Sequence, residues 1–252
     1  FVALQLYFVL RVALMAVLDP QSTSFQRSEA WRLLREGRLG GIGWQQQWVP
    51  YARIADGLKR SVIASEDAGF VEHSGVEWEA LEKAWEKNLR AQAQAAERNR
   101  LLAERAERAA SRAAARGLAE PPPPPPPVQP KIVGGSTITQ QLSKNLFLSG
   151  ERTSLRKGQE IVITYMLEHL LGKPRILEIY LNSVEWGEGV FGAQAAARHY
   201  FKADAAQLSL PQAARLAVML PAPKRFEQRP ASAYLRGRAA TVAARAGAVE
   251  LP

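Results

Sequence analysis

The order of apolar and polar positions along the chain predicts a series of helices separated by breakers. From Tyr51, apolar side chains recur every four residues at Ile54, Leu58 and Val62, which predicts a core-packed helix ending near Glu66. Further stretches with helical periodicity follow after residue 153, with glycine and proline between them. No alternating pattern typical of a strand stands out, so we expect a mainly α fold.

The first 18 residues are almost continuously apolar and predict a membrane anchor. As a helix rising ~1.5 Å per residue they would reach about 27 Å, close to a bilayer core. Arg11 interrupts the run and would cost about 2.5–3.5 kcal/mol at mid-bilayer. The run lacks a good small-x-small cleavage site, which favours an uncleaved anchor, and the opening Phe1 leads us to expect residues upstream. We expect residues 19–49 to form a stem and residues 50–252 the main domain.

Residues 89–130 differ in composition from their surroundings. They are rich in Ala, Arg and Glu and contain a run of seven prolines at 121–127, which predicts a solvated helix with i,i+4 charge pairs and then an extended spacer. We interpret this stretch as a surface insertion. A basic arm for nucleic acid is the alternative, disfavoured because acids are interleaved and aromatics are absent. Just before it, Trp78, Leu81 and Trp85 recur at helical spacing and are expected in the core.

Composition limits the kinds of partner and site. The formal net charge of +9 favours an anionic partner: nucleic acid, acidic lipid head groups or a phosphorylated substrate. The absence of cysteine excludes disulfides, thiolate metal sites and a cysteine nucleophile. The spacing of His73, His169 and His199 matches no common zinc motif.

The stretch "GGSTITQQLSKN", residues 134–145, predicts a capped helix with one polar face. Ser136 or Thr137 is expected as the N-cap. Apolar side chains at i, i+4 and i+8 can face a core: Ile138, Leu142 and Leu146. The opposite side carries Thr137, Gln140, Gln141 and Lys144. A helix start after two glycines suits an anion, but the ending of a P-loop is missing, so no nucleotide is implied. An ordinary surface helix is the alternative.

Two further clusters are able to carry chemistry. Glu66 and Asp67 are adjacent where an apolar helix ends, and Phe70 and His73 follow. Burial and like charge move the pKa of a carboxyl group toward neutrality, as a general base requires, although paired carboxylates are also common caps. Cations recur further on, with a carboxylate one helical turn after two of them: Lys144, Arg152, Arg156, Lys157 and Glu160. An ordinary surface ion-pair ladder is the alternative reading of Arg156 and Glu160.

Taken together, these clusters predict a site for a lipid-linked phosphate or diphosphate leaving group. A departing diphosphate needs positive charge where negative charge develops. An acceptor hydroxyl needs a base.

Four motifs in this order resemble those of the peptidoglycan glycosyltransferases, glycosyltransferase family 51: "EDAGFVEHSG", "GGSTITQQLSKN", "RKGQE" and "RILEIYLN". The resemblance covers roughly residues 50–230, and the whole chain resembles the monofunctional members. It implies a mainly α, lysozyme-like fold with a membrane-associated small lobe and an N-terminal transmembrane helix. It also implies polymerisation of lipid II into glycan strands on the periplasmic side of the inner membrane.

The resemblance also implies roles for individual residues. Glu66 matches the general base that deprotonates the 4-hydroxyl of the acceptor N-acetylglucosamine. This hydroxyl attacks the anomeric carbon of the donor sugar with inversion and expels undecaprenyl diphosphate. Three residues are expected to shape and polarise the base: Asp67, Phe70 and His73. Six are expected to line the groove near the diphosphate: Ser136, Thr137, Gln140, Gln141, Lys144 and Asn145. Three are expected to hold phosphate: Arg152, Arg156 and Lys157.

Glu160 matches the second carboxylate of the family, which positions those cations or a divalent ion, Mg or Mn. The sequence itself requires no cofactor. Membrane lipids and other cell-wall synthesis proteins are implied as partners, and nucleic acid is not. The chain departs from the family pattern in two places: the stretch 89–130 is longer than the usual connection, and "PAPKRFEQRP" matches the final motif only loosely.

Other classes of protein stay open on the sequence alone. A lysozyme-like hydrolase or lytic transglycosylase also uses a glutamate on a helical fold but needs no diphosphate clamp. A penicillin-binding transpeptidase is disfavoured, because S-x-x-K at Ser154 and S-x-N at Ser143 stand in reversed order and no K-T-G follows. The non-enzymatic alternative is a membrane-anchored basic scaffold whose carboxylates are structural.

Overall fold

The computed structural model describes residues 2–38, 40, 43–117, 123–130, 132, 134–148 and 153–252. The chain forms two compact units. The main unit consists of Phe1–Val76 and Ser136–Pro252, and the smaller unit of Glu77–Gly135.

Helices dominate the described residues, which confirms the expected mainly α fold. In chain order they are α1 (Val2–Leu14), α2 (Ser24–Arg35), α3 (Asp56–Glu66), α4 (Trp78–Ala115), α5 (Ile138–Phe147), α6 (Ser154–Leu170), α7 (Lys173–Ser183), α8 (Ala193–Phe201), α9 (Leu210–Met219), α10 (Pro223–Glu227) and α11 (Ala233–Ala246). Short 3₁₀ turns lie at Tyr51–Arg53 and Ala205–Gln207. Of the helices in the described residues, α4 alone belongs to the smaller unit.

A small sheet accompanies the helices of the main unit. Its strands are β1 (Gln45–Gln46), β2 (Glu185–Gly187) and β3 (Val190–Phe191), in the order β1-β3-β2. Strand β1 runs parallel to β3, and β2 runs antiparallel to β3 with an irregular register between Glu185 and Gly187. Periodicity did not predict these strands, because each is too short to show alternation.

The core of the main unit contains the apolar positions that periodicity predicted. Ile54, Leu58 and Val62 are buried, although α3 begins only at Asp56. Helix α3 packs against α9 and α11, whereas α5 packs against α2, α6 and α7. Glu66 is therefore the last residue of a helix whose apolar face is fixed in the core.

Helix α5 begins with a capping box. Thr137 Oγ1 accepts a hydrogen bond from the backbone N–H of Gln140 at 3.1 Å, and Gln140 Oε1 accepts one from the backbone N–H of Thr137 at 3.1 Å. The predicted core face, Ile138, Leu142 and Leu146, is buried. Of the two N-caps expected, the structure selects Thr137.

Helix α1 lies within the segment predicted as a membrane anchor. It packs on α6, where Phe8 is buried and the amides of Gln5 and Gln159 exchange hydrogen bonds. No helix in the described part of the chain combines the length and the apolar character needed to cross a bilayer. The membrane-spanning helix over residues 1–18 stays a prediction.

The segment predicted as a stem, residues 19–49, is built into the main unit. Helix α2 starts with a capping box of Thr23 and Gln26, both of which are buried. At the end of the segment, the side-chain amide of Asn182 exchanges two hydrogen bonds of 2.9 Å with the backbone of Val49. The described residues of this segment therefore pack into the main unit and do more than connect α1 to it.

The smaller unit consists mainly of the long helix α4, within which the predicted solvated helix is found. Ion pairs at i,i+4 run along it, for example between Arg90 and Glu86. The side-chain amide of Asn99 exchanges two hydrogen bonds with the backbone of Val128, beyond the exposed prolines 123–127. Gly135 packs so closely on α4 that an added Cβ would lie 2.8 Å from the Cβ of Ala84. The predicted insertion, residues 89–130, lies inside this unit, whose bounds are wider.

Two tryptophans of α4 are exposed, contrary to the prediction from the sequence. Trp78 and Trp85 were expected in the core, but their exposed fractions are 57% and 67%. Helical spacing places them on one face, and it does not decide whether that face is covered.

Gly75 allows the loop after α3 to meet α5 and α6. Its φ is +93°, and an added Cβ would lie 2.7 Å from Thr164 Cγ2 and 2.8 Å from Glu168 Cγ. Its backbone N–H donates to His73 Nδ1 at 3.1 Å, and its carbonyl accepts from Thr137 Oγ1 at 2.6 Å. Both the conformation and the lack of space require glycine.

We expect Gly75→Ala to lower the free energy of unfolding by about 2–4 kcal/mol, because it combines a strained φ with overpacking. Urea unfolding measures the change. Gly237→Ala is the matched control, since Gly237 lies inside α11 with no atom near its added Cβ. Gly237→Ala should raise the free energy of unfolding by up to about 1 kcal/mol. Equal stability of Gly75→Ala and the unchanged protein would contradict this account.

Candidate active site

An open cavity of about 510 Å³ lies in the main unit, between α2, α5, α7 and the loop before α10. The second motif lines it with Gln141, Lys144 and Asn145, and the third motif lines it with Arg156. The polar face predicted for α5 thus reaches the cavity through the residues of its middle and last turns. Lys144, Arg156 and the amide next to the expected base therefore share one space, and Lys157 does not line it.

Glu66 adjoins this cavity through Gln141. Gln141 Nε2 donates to Glu66 Oε2 at 3.2 Å, and Gln141 Oε1 accepts from the hydroxyl of Tyr180 at 2.9 Å. Tyr180 also lines the cavity and is buried. The carboxylate is therefore oriented by an amide that is itself held by a hydroxyl.

The surroundings of Glu66 raise the pKa of its carboxyl group. Burial is the largest cause, and the charge of Asp67 acts in the same direction. Hydrogen bonds from Gln141 and Ser65 and the charge of Arg238 oppose the rise. The pKa of Glu66 therefore shifts in the direction expected for a buried carboxyl group, and the adjacent carboxylate is a smaller cause.

Asp67 and His73 connect the first motif to the second instead of contacting Glu66. Asp67 Oδ2 accepts from the backbone N–H of Ile138 at 2.9 Å, and Asp67 Oδ1 lies 2.8 Å from His73 Nε2. Because His73 Nδ1 accepts from Gly75, Nε2 carries the proton and donates to Asp67. Phe70 is fully buried beneath the Lys173 ammonium, which lies 4.5 Å from its ring centre. These contacts fix the start of α5 relative to the end of α3.

Three other residues of the second motif do not line the cavity. Thr137 and Gln140 are buried in the helix cap, with exposed fractions of 3% and 1%. The carbonyl of Ser136 accepts from Gln141 Nε2 at 3.4 Å. Their contacts are with the protein, and substrate binding by these three residues stays a prediction.

The third motif forms an ion cluster around a buried carboxylate. Arg156 Nη1 donates to Glu160 Oε2 at 2.9 Å, and Lys157 Nζ donates to Glu160 Oε1. The Glu160 side chain is only 4% exposed, so this is not the surface ladder that the local spacing also allowed. Arg152, the remaining predicted phosphate ligand, lies outside the described residues.

A divalent ion does not fit at Glu160. Each of its carboxylate oxygens already accepts a hydrogen bond from a cation, and both cations would repel Mg or Mn. Within the described residues, Glu160 fits the other expectation, in which it positions the cations.

Several residues at the cavity were not predicted from the sequence. Helix α2 contributes Phe25, Ser28 and Glu29, and the segment after α7 contributes Glu185. Burial raises the pKa of Glu185 to about 7, with Glu29 adding to the rise and Lys224 opposing it. No local motif marks these residues, since only tertiary packing brings α2 to α5.

A known protein family matches most of this chain. The family model described as Transglycosylase matches residues 37–97 and 128–247. The chain belongs to the transglycosylase family. The interval between the matched segments falls inside the predicted insertion, so the transglycosylase match skips most of the Ala, Arg and Pro stretch.

Relatives of this transglycosylase extend over nearly its whole length. It is 48% identical over 250 residues to the biosynthetic peptidoglycan transglycosylase of Burkholderia thailandensis, covering 99% of this chain and 82% of that protein. It is 47% identical over 250 residues to the protein of the same name from Herminiimonas arsenicoxydans, covering 99% and 91%. A Bordetella pertussis protein of the same name is 47% identical over 248 residues, covering 98% and 88%.

The raised pKa of Glu185 predicts that the transglycosylase becomes less stable as pH rises. The folded pKa of about 7 exceeds the ordinary value of 4.5, so Glu185 keeps its proton longer in the folded chain. Its contribution is fully present below pH 4.5 and is lost as pH rises through 7. Glu185→Gln should reduce the fall in the free energy of unfolding between pH 5 and 8 by up to roughly 3 kcal/mol.

Urea unfolding at both pH values measures this difference. Glu66 contributes in the same direction, so the variant should keep part of the fall. An unchanged pH dependence in Glu185→Gln would show that Glu185 ionises equally in both states.

Proposed function

We propose that this transglycosylase polymerises peptidoglycan glycan strands from lipid II. Glu66 deprotonates the 4-hydroxyl of the acceptor N-acetylglucosamine, and this hydroxyl attacks the anomeric carbon of the donor sugar with inversion. The anomeric C–O bond breaks, and undecaprenyl diphosphate leaves with the electron pair. The observation that carries the proposal is the Glu66–Gln141 hydrogen bond, which connects the base to the cavity that Lys144 and Arg156 line.

Charge supports the assignment of the leaving-group end. Glu160 holds the guanidinium of Arg156 and the ammonium of Lys157, so the cations do not need to be ordered when the substrate arrives. Two positive charges on one carboxylate leave a net positive charge beside the cavity. A diphosphate that gains negative charge in the transition state is stabilised there.

The surroundings of Glu66 suit it to act as the general base. Burial raises the pKa of Glu66 above that of an ordinary carboxyl group, which makes its ionised form a stronger proton acceptor. Gln141 and Tyr180 keep one of its oxygens oriented. Among the residues that the structure describes, the other oxygen receives only the long hydrogen bond of 3.4 Å from Ser65. We assign this second oxygen to the acceptor hydroxyl.

The location that we propose is the periplasmic face of the inner membrane. Residues 1–18 form the anchor, residues 19–49 the stem, and residues 50–252 the lysozyme-like glycosyltransferase domain with its membrane-associated lobe. Large apolar side chains on α1 support this placement, since Leu6 and Leu10 are 63% and 60% exposed.

Fluorescent lipid II separates the candidate functions. The purified chain should convert it to long polymer that lysozyme degrades. A hydrolase would instead shorten existing glycan, and a scaffold would do neither. Shortening of glycan without polymer formation would overturn the proposal.

A further inference from the structure

The cavity has a second polar end at Glu185, which the proposed reaction does not use. Glu185 opens β2, where the register of the sheet is irregular, and its side chain lines the same cavity as Lys144 and Arg156. The side chain is 8% exposed, and its Oε1 has no hydrogen-bond partner among the described residues. A buried carboxyl oxygen without a hydrogen bond is costly unless a ligand supplies one.

Glu185 shares its nearest cation with a second carboxylate. Lys224 Nζ forms an ion pair with Glu185 Oε1 at 3.3 Å and also donates a hydrogen bond to Glu29 Oε2, and a carboxylate oxygen can accept a further hydrogen bond beside such an ion pair. Glu29 also accepts from the guanidinium of Arg32 at 2.9 Å. The charged or titratable groups that face Glu185 are Glu29 and Arg32 from α2, Lys224 from α10 and Tyr200 from α8.

This end of the cavity does not suit a phosphate. The carboxylate of Glu185 would repel the anion, and the carboxylates of Glu29 and Glu185 balance the two cations at this end, whereas two cations share one carboxylate at Glu160. Apolar side chains from three segments line the same cavity: Phe25, Leu220 and Pro223. An uncharged group that offers an N–H or O–H beside an apolar surface fits both features, and an N-acetylated sugar has this chemistry.

We propose that Glu185 is a substrate-binding residue that accepts a hydrogen bond from an amide N–H or a hydroxyl of the donor sugar. The sugar lies against Phe25 and Leu220 while its diphosphate lies at Lys144 and Arg156. This inference rests on the proposed function, since it assumes a lipid diphosphate sugar in the cavity. The cavity would then hold a subsite for the uncharged sugar beside the subsite for the charged diphosphate.

Steady-state polymerisation of fluorescent lipid II, with fluorescence anisotropy for binding, tests the proposal. Glu185→Leu removes the acceptor and should raise both KM and Kd by about 10-fold or more, with kcat within about 3-fold. Glu185→Gln keeps a carbonyl acceptor and should restore KM to within about 3-fold of the unchanged chain. For the unchanged chain, KM should fall from pH 6 to pH 8, because the ionised carboxylate is the stronger acceptor, and Glu185→Gln should lack this fall.

Glu227→Gln is the matched control. Glu227 Oε2 accepts from the backbone N–H of Glu188, next to β2, but Glu227 does not line the cavity. The KM of Glu227→Gln should stay within about 2-fold of that of the unchanged chain. Equal KM values for Glu185→Leu and the unchanged chain would overturn this inference alone, as would an equal rise in Glu227→Gln. An unchanged chain that binds lipid II without polymerising it would instead overturn the proposed function.

Discussion

Glu66→Gln should reduce lipid II polymerisation by about 10²- to 10⁴-fold, the contribution of a general base. The amide has the shape of the carboxyl group but cannot accept the proton of the acceptor hydroxyl. The fold should be intact, because Gln141 can still donate to the new carbonyl oxygen and Glu66 is the last residue of α3. Rates of glycan formation and urea unfolding of the same preparation measure the two effects.

Glu72→Gln is the matched control, since Glu72 is an exposed carboxylate six residues further along the same motif. It should keep its activity within about 2-fold. The raised pKa of Glu66 adds a pH signature: kcat/KM should rise with pH up to a pKa above the ordinary 4.5. Turnover near that of the unchanged chain in Glu66→Gln would refute the base assignment.

Lys144→Ala should lower kcat/KM for lipid II by about 10²- to 10³-fold, the usual effect of removing one group that stabilises developing charge. The side chain of Lys144 is exposed and lines the cavity with Arg156, so its loss should affect the substrate more than the fold. Lys144→Arg should recover part of the activity, because it keeps the charge but changes its shape. Steady-state kinetics and unfolding measure both consequences.

Arg229→Ala provides the control for a general loss of positive charge. Arg229 is exposed and does not line the cavity, and its removal changes the net charge equally. We expect kinetics within about 2-fold of the unchanged chain. Unchanged kinetics in Lys144→Ala would exclude Lys144 from the clamp, and an equal loss in Arg229→Ala would attribute the effect to net charge.

Local pattern predicted the parts of the fold and site that depend on neighbouring residues. The period of four residues placed Leu58 and Val62 in the core, and the capping residues placed the start of α5 at Ser136 or Thr137, of which Thr137 is the N-cap. The same helical geometry put Gln141 and Lys144 on one side, where the cavity is.

The sequence pattern did not predict which side chains are buried where tertiary packing decides their burial. The side chain of Gln140 shares the polar side of α5 by sequence, but it folds back to close the capping box and is buried. Trp78 and Trp85 have the spacing of a core face and are exposed. Glu185 could not be predicted as a cavity residue, because its place depends on short strands and on a helix more than 150 residues earlier.

The most direct test of the account is a crystal structure of the chain with a non-reactive lipid II analogue and an acceptor glycan. The acceptor 4-hydroxyl should lie about 2.6–3.2 Å from a Glu66 carboxylate oxygen. The diphosphate oxygens should be in hydrogen-bond contact with Lys144 and Arg156. An acceptor hydroxyl held by another side chain, with the diphosphate outside this cavity, would contradict it.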